Sequence, residues 1–164
     1  MYLSQRITNN NTSASSRVIL SELDEEQTLF IQVEKAVKRC IAHQHAKELV
    51  DVLNLVAEHR YDLTKYVTKK GHTLLIESVI KNRPKATALL IKHVKSVAGS
   101  SDITQEWEPI EWVNLPSRQQ YSFNALHYAA FYGKMDIIRI LLDDGGASPG
   151  YLNTDGMNVL HVAA

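Results

Sequence analysis

Histidine and cysteine are the side chains of this sequence with the clearest potential for chemistry. The chain has seven histidines and one cysteine in 164 residues. Cys40, His43 and His45 form a Cys-x2-His-x-His string, which brings possible metal ligands together. This spacing differs from the Cys-x2-Cys and His-x3-His spacings of zinc sites, and alternate residues of one segment do not share a helix face. We therefore expect neither a bound metal nor another cofactor.

Carboxylates are the second group with catalytic potential, and they occur in three clusters, at residues 24–26, 106–111 and 143–144. The first cluster lies at a predicted helix start, where the helix dipole favours negative charge. The second could contact a basic partner or simply be solvated in a loop. Acid–base catalysis by such a pair requires an enclosed site that shifts a pKa, and no nucleophile or phosphate-binding motif accompanies the clusters. We predict that the chain is not an enzyme.

A seven-residue phrase occurs twice near the end of the chain. Residues 124–130 read Asn-Ala-Leu-His-Tyr-Ala-Ala, and residues 158–164 read Asn-Val-Leu-His-Val-Ala-Ala, with corresponding positions 34 apart. The segment between them has apolar residues at helical spacing, with glycines and turn-forming residues at its ends. A period of this length is typical of stacked helical units rather than of a fold with one enclosed pocket.

The repeated unit resembles the ankyrin repeat. The Thr-Pro-Leu-His-x-Ala-Ala phrase of that family matches residues 124–130, with Asn124 and Ala125 in place of Thr and Pro, and a weaker copy covers residues 71–94. The resemblance implies an all-α ankyrin-repeat solenoid of helix-turn-helix units with short hairpin loops. It also implies that the motif histidines tie neighbouring loops by hydrogen bonds, whereas His72 is expected to be solvated at a hairpin tip. The positions that match the motif are Gly71, Thr73, Leu75, Leu126, His127, Gly133, Gly156, Leu160 and His161.

The organisation along the chain becomes less regular towards the N-terminus. Residues 1–21 are rich in Ser, Thr and Asn and predict a flexible tail, and residues 22–70 predict a degenerate capping helix pair. Residues 71–164 are assigned to ankyrin repeats. Corresponding leucines at 75 and 126 are 51 residues apart, so an insertion relative to a period of about 33 predicts a loop at about residues 95–118. Because the last phrase stops within the first helix of a repeat, we expect the native chain to continue past residue 164.

Charge and composition restrict the partner class. The chain has 18 basic and 18 acidic residues and a net charge of zero, so no basic face for nucleic acid is expected. No apolar run reaches the length of a membrane helix. A single cysteine suits a reducing compartment. We expect protein partners, no nucleic acid, no direct membrane insertion of this segment, and an intracellular, cytoplasmic location.

The resemblance also implies where partners dock, which in ankyrin proteins is on hairpin tips and on the exposed side of the first helices. Five aromatic residues occupy such positions, and two tryptophans lie in the insertion. Exposed aromatic clusters are typical of binding hot spots. The alternatives are that the five pack against the insertion and that the tryptophans cover the adjacent helices. The predicted partner-binding residues are Tyr121, Phe123, Tyr128, Phe131, Tyr132, Trp107 and Trp112.

Two functions follow from these patterns. The first is a non-catalytic scaffold or adaptor module for protein–protein interaction, within a larger assembly or a longer chain. The alternative is the regulatory N-terminal ankyrin domain of a membrane-bound protein acyltransferase. Ankyrin stacks precede membrane spans in the palmitoyltransferase family, and the last residues, 156–164, loosely resemble that family. A DHHC-cysteine domain between membrane helices further along the chain would support the alternative.

Overall fold

The computed structural model describes residues 14–164, which contain eight α-helices and no strand. The prediction of an all-α fold is confirmed. A 3₁₀ turn spans Leu63–Lys65, and a π-helical turn at Ile140–Asp144 directly continues α7. The helices are α1 (Ala14–His43), α2 (Ala46–Glu58), α3 (Leu74–Ile80), α4 (Pro84–Ala98), α5 (Pro109–Asn114), α6 (Ala125–Phe131), α7 (Met135–Arg139) and α8 (Val159–Ala163).

The described residues fall into two units, which divide between Gln32 and Val33. Of the predicted tail over residues 1–21, positions 1–13 lie outside the described residues. Positions 14–21 belong to α1, so the helix begins before the predicted boundary at residue 22. The physical reason is that extending a formed helix by good helix formers such as Ala14 and Leu20 costs little once a nucleus exists.

The second unit begins with a helix pair, the last part of α1 and the whole of α2. Val37 and Leu49 are both fully buried in it. Gln44 joins the two helices with φ of 61°, a left-handed conformation that glycine usually supplies. The guanidinium of Arg83 donates to the carbonyl oxygens at the end of α1, with Nε 2.8 Å from Ile41 O. These bonds satisfy carbonyls that lack a partner within the helix.

The next two helix pairs, α3–α4 and α6–α7, begin alike. The side chains of Thr73 and Asn124 each accept a hydrogen bond from the backbone N–H three residues further along the chain. Asn158 does the same at the start of α8. An N-cap of this kind stabilises a helix by about 1 kcal/mol. The turn between paired helices has a positive φ both times, at Asn82 and at Gly133. The same local geometry therefore recurs where the sequence phrases recur.

The core of these pairs is a column of aliphatic side chains. Leu75 lies on α3, Leu90 on α4, Leu126 on α6 and Leu141 on the π-helical turn after α7, and all four are at most 1% exposed. Each such side chain contributes roughly 1.5–3 kcal/mol of burial free energy. Because α3 also packs on α6 and α4 on the π-helical turn, the stacking of pairs is what completes the core.

The insertion differs from the predicted loop at about residues 95–118. Helix α4 extends to Ala98, and the insertion contains helix α5, so residues 95–118 are partly helical rather than a loop throughout. Pro109 provides a preformed first turn, and the Glu108 N–H donates to the Glu111 carboxylate across that turn at 3.4 Å. Asn114 then joins α5 to the loop after α7, because its Oδ1 accepts the Ser148 N–H at 2.8 Å.

Candidate functional site

The five aromatic side chains predicted at the hairpin tip and on the first helix form one cluster. The Phe123 ring is central, with its centroid 5.8 Å from Tyr121, 5.5 Å from Tyr128 and 6.1 Å from Phe131. Phe131 meets Tyr132 edge-on at 5.2 Å. Edge-to-face and tilted pairs of this kind are favourable beyond the area they bury. The hairpin tip therefore packs against α6 through these rings.

Three rings of this cluster nevertheless remain open to solvent. Phe131 is 61% exposed, Tyr121 46% and Tyr132 45%. Together with their neighbours they line a groove of about 740 Å³, which we call the aromatic groove. Clustered exposed rings over a preformed concavity are typical of a recognition surface. The aromatic groove is lined by Lys70, His72, Ile80, Gln119, Gln120, Tyr121, Phe123, Tyr128, Phe131, Tyr132, Met157, His161 and Val162.

A second groove of about 640 Å³ adjoins the first, and we call it the lysine groove. Lys70, His72 and Ile80 line both grooves, which places them at the boundary. The two grooves therefore share part of their walls. The remaining lining residues of the lysine groove are Glu34, Lys38, Tyr66, Val67, Thr68, Lys69, Glu77 and Lys81.

A chain of hydrogen-bonding side chains crosses the boundary between the grooves. His72 Nδ1 lies 2.9 Å from Glu77 Oε1, His72 Nε2 lies 3.4 Å from Tyr128 Oη, and Tyr128 Oη lies 3.3 Å from Ser117 Oγ. His72 is only 7% exposed, so the expectation that it is solvated at a hairpin tip is wrong. Sequence reasoning missed this chain because Tyr128 lies 56 residues from His72, and no local pattern joins them.

The two tryptophans of the insertion occupy different environments. Trp112 is 1% exposed and lies on α5, which packs against α4 and α6. Trp107 is half-buried, and its backbone N–H lies 3.4 Å from Thr64 Oγ1. The neighbouring Glu106 N–H donates to Asp62 Oδ2 at 2.7 Å. The assignment of Trp112 to an exposed partner surface is not what the structure shows, because its ring covers the adjacent helices.

No ring contact between residues of the described structure joins the aromatic cluster to either tryptophan. Among the described residues, the ring contacts of Phe123 and Tyr128 are with each other, with the remaining cluster residues, and with His72 and His127. Tyr128 Oη contacts Ser117 Oγ at the end of the insertion, but the rings of Tyr121, Phe131 and Tyr132 are each at least 45% exposed.

The motif histidine His127 lies buried beneath the aromatic cluster. His127 is fully buried, with Nδ1 2.7 Å from Asn124 Oδ1 and Nε2 3.3 Å from Met157 O. The contact with Met157 joins α6 to the next hairpin. Burial lowers the pKa of His127 below its usual value, because the charged imidazolium is poorly solvated there. Its counterpart His161 is exposed and lies within reach of the Asn158 N–H at 3.3 Å.

The glycines of the motif all have left-handed backbones. Gly71 has φ of 76°, Gly133 of 63° and Gly156 of 72°. A Cβ at Gly71 would also lie 2.3 Å from the backbone nitrogen of Arg118. That close approach brings the insertion's end against the hairpin, where the Arg118 N–H donates to Lys70 O at 3.0 Å.

The candidate metal ligands and catalytic side chains of the sequence do not form a site in the described structure. Cys40 is a buried free thiol whose Sγ lies 4.0 Å from Glu48 Oε2, and burial raises its pKa. Among the side chains that the structure describes, no three His, Cys, Asp or Glu groups converge on a point that suits a metal ion. Over the same residues, no helix combines the length and the apolar character that crossing a bilayer requires.

Comparison with known proteins identifies the fold. Residues 126–164 match the family described as ankyrin repeats (many copies). A chain in the crystal structure of the yeast ribosomal protein Rps3 in complex with its chaperone Yar1 superposes with a TM-score of 0.63 at 19% identity, covering 80% of this chain and 82% of that one. The ankyrin repeat domain of Bcl-3, a member of the IkappaB protein family, gives 0.55 at 23% identity, covering 78% of this chain and 49% of that one.

These matches confirm the predicted resemblance: residues 126–164 carry the ankyrin-repeat pattern, and the described residues form a helical stack of ankyrin type. The search of curated protein sequences finds no match. The chain spans about half (49%) of the Bcl-3 domain and most (82%) of the first neighbour.

Proposed function

We propose that the chain is a non-catalytic protein-interaction module, a scaffold or adaptor, whose partner docks in the aromatic groove. The observation that carries the proposal is the set of three open rings, Tyr121, Phe131 and Tyr132, at the mouth of a preformed concavity. A partner that covered these rings would gain roughly 25 cal/mol for each Å² of apolar surface removed from water. One structural neighbour comes from a complex, the yeast ribosomal protein Rps3 with its chaperone Yar1, and this supports a binding role for this type of stack.

The polar groups at the groove boundary favour binding over catalysis. The Glu77–His72–Tyr128–Ser117 chain has the order of a proton relay, but Ser117 at its end is 3% exposed and so cannot reach a bound substrate. Nucleophilic catalysis requires an exposed nucleophile next to its base. The chain of hydrogen bonds serves instead to hold the Tyr128 ring in the groove wall.

An affinity purification with paired variants tests the proposal. The variant Phe131→Ala with Tyr132→Ala removes the two adjacent open rings. The control variant Ile110→Ala with Met135→Ala removes side chains of similar exposure, 62% and 59%, that do not line the groove. Circular dichroism and thermal melting of both variants establish that each is folded.

We expect the groove variant to lose specific partners that the wild type and the control variant retain. A hot-spot aromatic contributes about 2 kcal/mol or more, which corresponds to a roughly 30-fold loss of affinity for each ring. If both variants recover the same partners at the same yield as the wild type, the groove is not the docking site and the proposal fails.

The cellular location and the wider protein context are inferred mainly from the sequence. We infer an intracellular location, which is supported by Cys40 being the one cysteine of the chain and a buried free thiol. The alternative, a regulatory domain of a membrane-bound acyltransferase, gains no support from the matched structures. Sequencing of the transcript beyond codon 164 would decide between a separate adaptor and part of a longer protein.

A further inference from the structure

Positive charge lines the lysine groove and reaches the aromatic groove. Lys69, Lys70 and Lys81 are exposed and line the lysine groove, and Lys70 also lines the aromatic groove. Within the part of the chain that the structure describes, none of these three forms an ion pair with a carboxylate. Their ammonium groups are therefore free to meet charge brought by a partner.

The two carboxylates that line the same grooves are already engaged. Glu34 Oε1 lies 3.5 Å from Lys38 Nζ, and Glu77 Oε1 lies 2.9 Å from His72 Nδ1. Lys38 Nζ also lies over the Tyr66 ring, 4.7 Å from its centroid. Neither carboxylate is left to neutralise the three lysines, so the grooves present net positive charge.

The acidic residues of the insertion lie outside these grooves. Glu106, Glu108 and Glu111 line neither the aromatic nor the lysine groove. Because the whole chain has no net charge, the positive character of the grooves arises from separation of charge between surfaces. Such separation orients an encounter and discriminates between partners, even where it adds little to affinity.

We infer that the occupant is an acidic, extended segment of a protein partner, with an aromatic or aliphatic side chain seated on Phe131 and Tyr132. Its carboxylates would face Lys69, Lys70 and Lys81 in the adjoining groove. This inference rests on the proposed function and specifies the partner's chemistry. Exposed rings bind an apolar side chain, and the lysines select the charge of the residues that flank it.

The geometry of the rings favours a peptide over single-stranded nucleic acid. Nucleic acid of this kind binds by stacking successive bases on open ring faces along a basic track. Here Tyr128 and Tyr132 are nearly parallel, at 13°, but the adjacent open rings of Phe131 and Tyr132 meet at 79°, so the exposed faces do not form a parallel series. Crossed rings form a socket for one side chain.

Selection from a random peptide library displayed on phage, with the full chain immobilised, tests the inference. Enriched peptides are then synthesised with a fluorescent label, and their dissociation constants are measured by polarisation at low and high salt. An oligouridine RNA serves as the nucleic-acid probe. The charge variant is Lys70→Glu with Lys81→Glu. Its control is Lys47→Glu with Lys92→Glu, which makes the same charge change at exposed lysines outside both grooves.

We expect the enriched peptides to carry net negative charge beside an aromatic or aliphatic residue. The charge variant should weaken their binding about tenfold, since two exposed ion pairs become repulsive, while the control variant changes it little. High salt should weaken binding to the wild type. The neutral pair Lys70→Gln with Lys81→Gln should lie between the wild type and the charge variant.

Other results separate this inference from the proposed function. If the selected peptides are neutral or basic, or if the charge variant binds them as the wild type does, while the Phe131→Ala, Tyr132→Ala variant loses them, the acidic partner is wrong and the groove remains the docking site. Tighter binding of oligouridine than of any peptide, lost in the charge variant, also overturns the inference. If no peptide is enriched, or if none depends on either variant, both proposals fail.

Discussion

Replacing Trp112 tests whether the insertion is part of the folded core. The indole is 1% exposed, and a tryptophan buries roughly 200 Å², which corresponds to an upper bound of about 5 kcal/mol at about 25 cal/mol per Å². Measured truncations of buried aromatics to alanine cost about 3–5 kcal/mol, including the cavity term. We therefore expect Trp112→Ala to lower the free energy of unfolding by about 3–5 kcal/mol.

The replacement of the same residue by phenylalanine should be much milder. Trp112 Nε1 is buried and has no hydrogen-bond partner among the residues that the structure describes. Trp112→Phe loses apolar area worth about 1–2 kcal/mol, but it also removes an unsatisfied donor whose burial costs about 1–3 kcal/mol. The two terms largely cancel, so we expect a net change within about 1.5 kcal/mol of the wild type.

Urea denaturation followed by far-UV circular dichroism measures both variants without relying on the indole fluorescence. Trp107→Ala is the matched control in the same insertion. Since Trp107 is half-buried, its loss should cost about 1–2 kcal/mol. The reasoning is refuted if Trp112→Ala costs no more than Trp107→Ala, or if Trp112→Phe costs as much as Trp112→Ala.

Two further predictions concern backbone geometry and pH. Gly71→Ala should lower the free energy of unfolding by about 3 kcal/mol or more, because the strain of a left-handed alanine adds to a 2.3 Å approach of its Cβ to Arg118 N. Gly133→Ala has open space around the new Cβ and should cost only about 1 kcal/mol. Urea denaturation measures both, and equal costs would contradict this prediction. Burial lowers the pKa values of His93 and His127 below 6.5. The unfolded chain therefore binds more protons than the folded chain near this pH. The stability contributed by the neutral histidines should be complete above about pH 7.5 and fall as the pH drops below about 6.5. Urea midpoints across this range check it, and His93→Gln should flatten the slope; a midpoint unchanged to about pH 5.5 would refute it.

The folded pairs near the end of the chain were predictable because their determinants are local. A helix N-cap such as Asn124 acts on an N–H three residues away, and a left-handed turn such as Gly133 depends on its own φ. Such features recur wherever the phrase recurs. The 34-residue spacing therefore identified both the helix pairs and the stack that they form.

The candidate groove was predicted only in part. The aromatic residues at the hairpin tip and on α6 could be placed, because they lie next to the motif. The position of His72 beside Tyr128 depends on a contact between different repeats. Stacking of units sets this contact, and no local pattern encodes it.

What the sequence alone determined is the repeat, its caps and its turns, since these depend on interactions within a few residues. Tertiary structure decided the rest. Trp112 became core because helix α5 packs on α4 and α6, and the lysines at 69, 70 and 81 became one surface with the aromatic groove because two hairpins and a helix end meet there. Burial and charge juxtaposition arise between distant segments, so they exist only once the units are stacked.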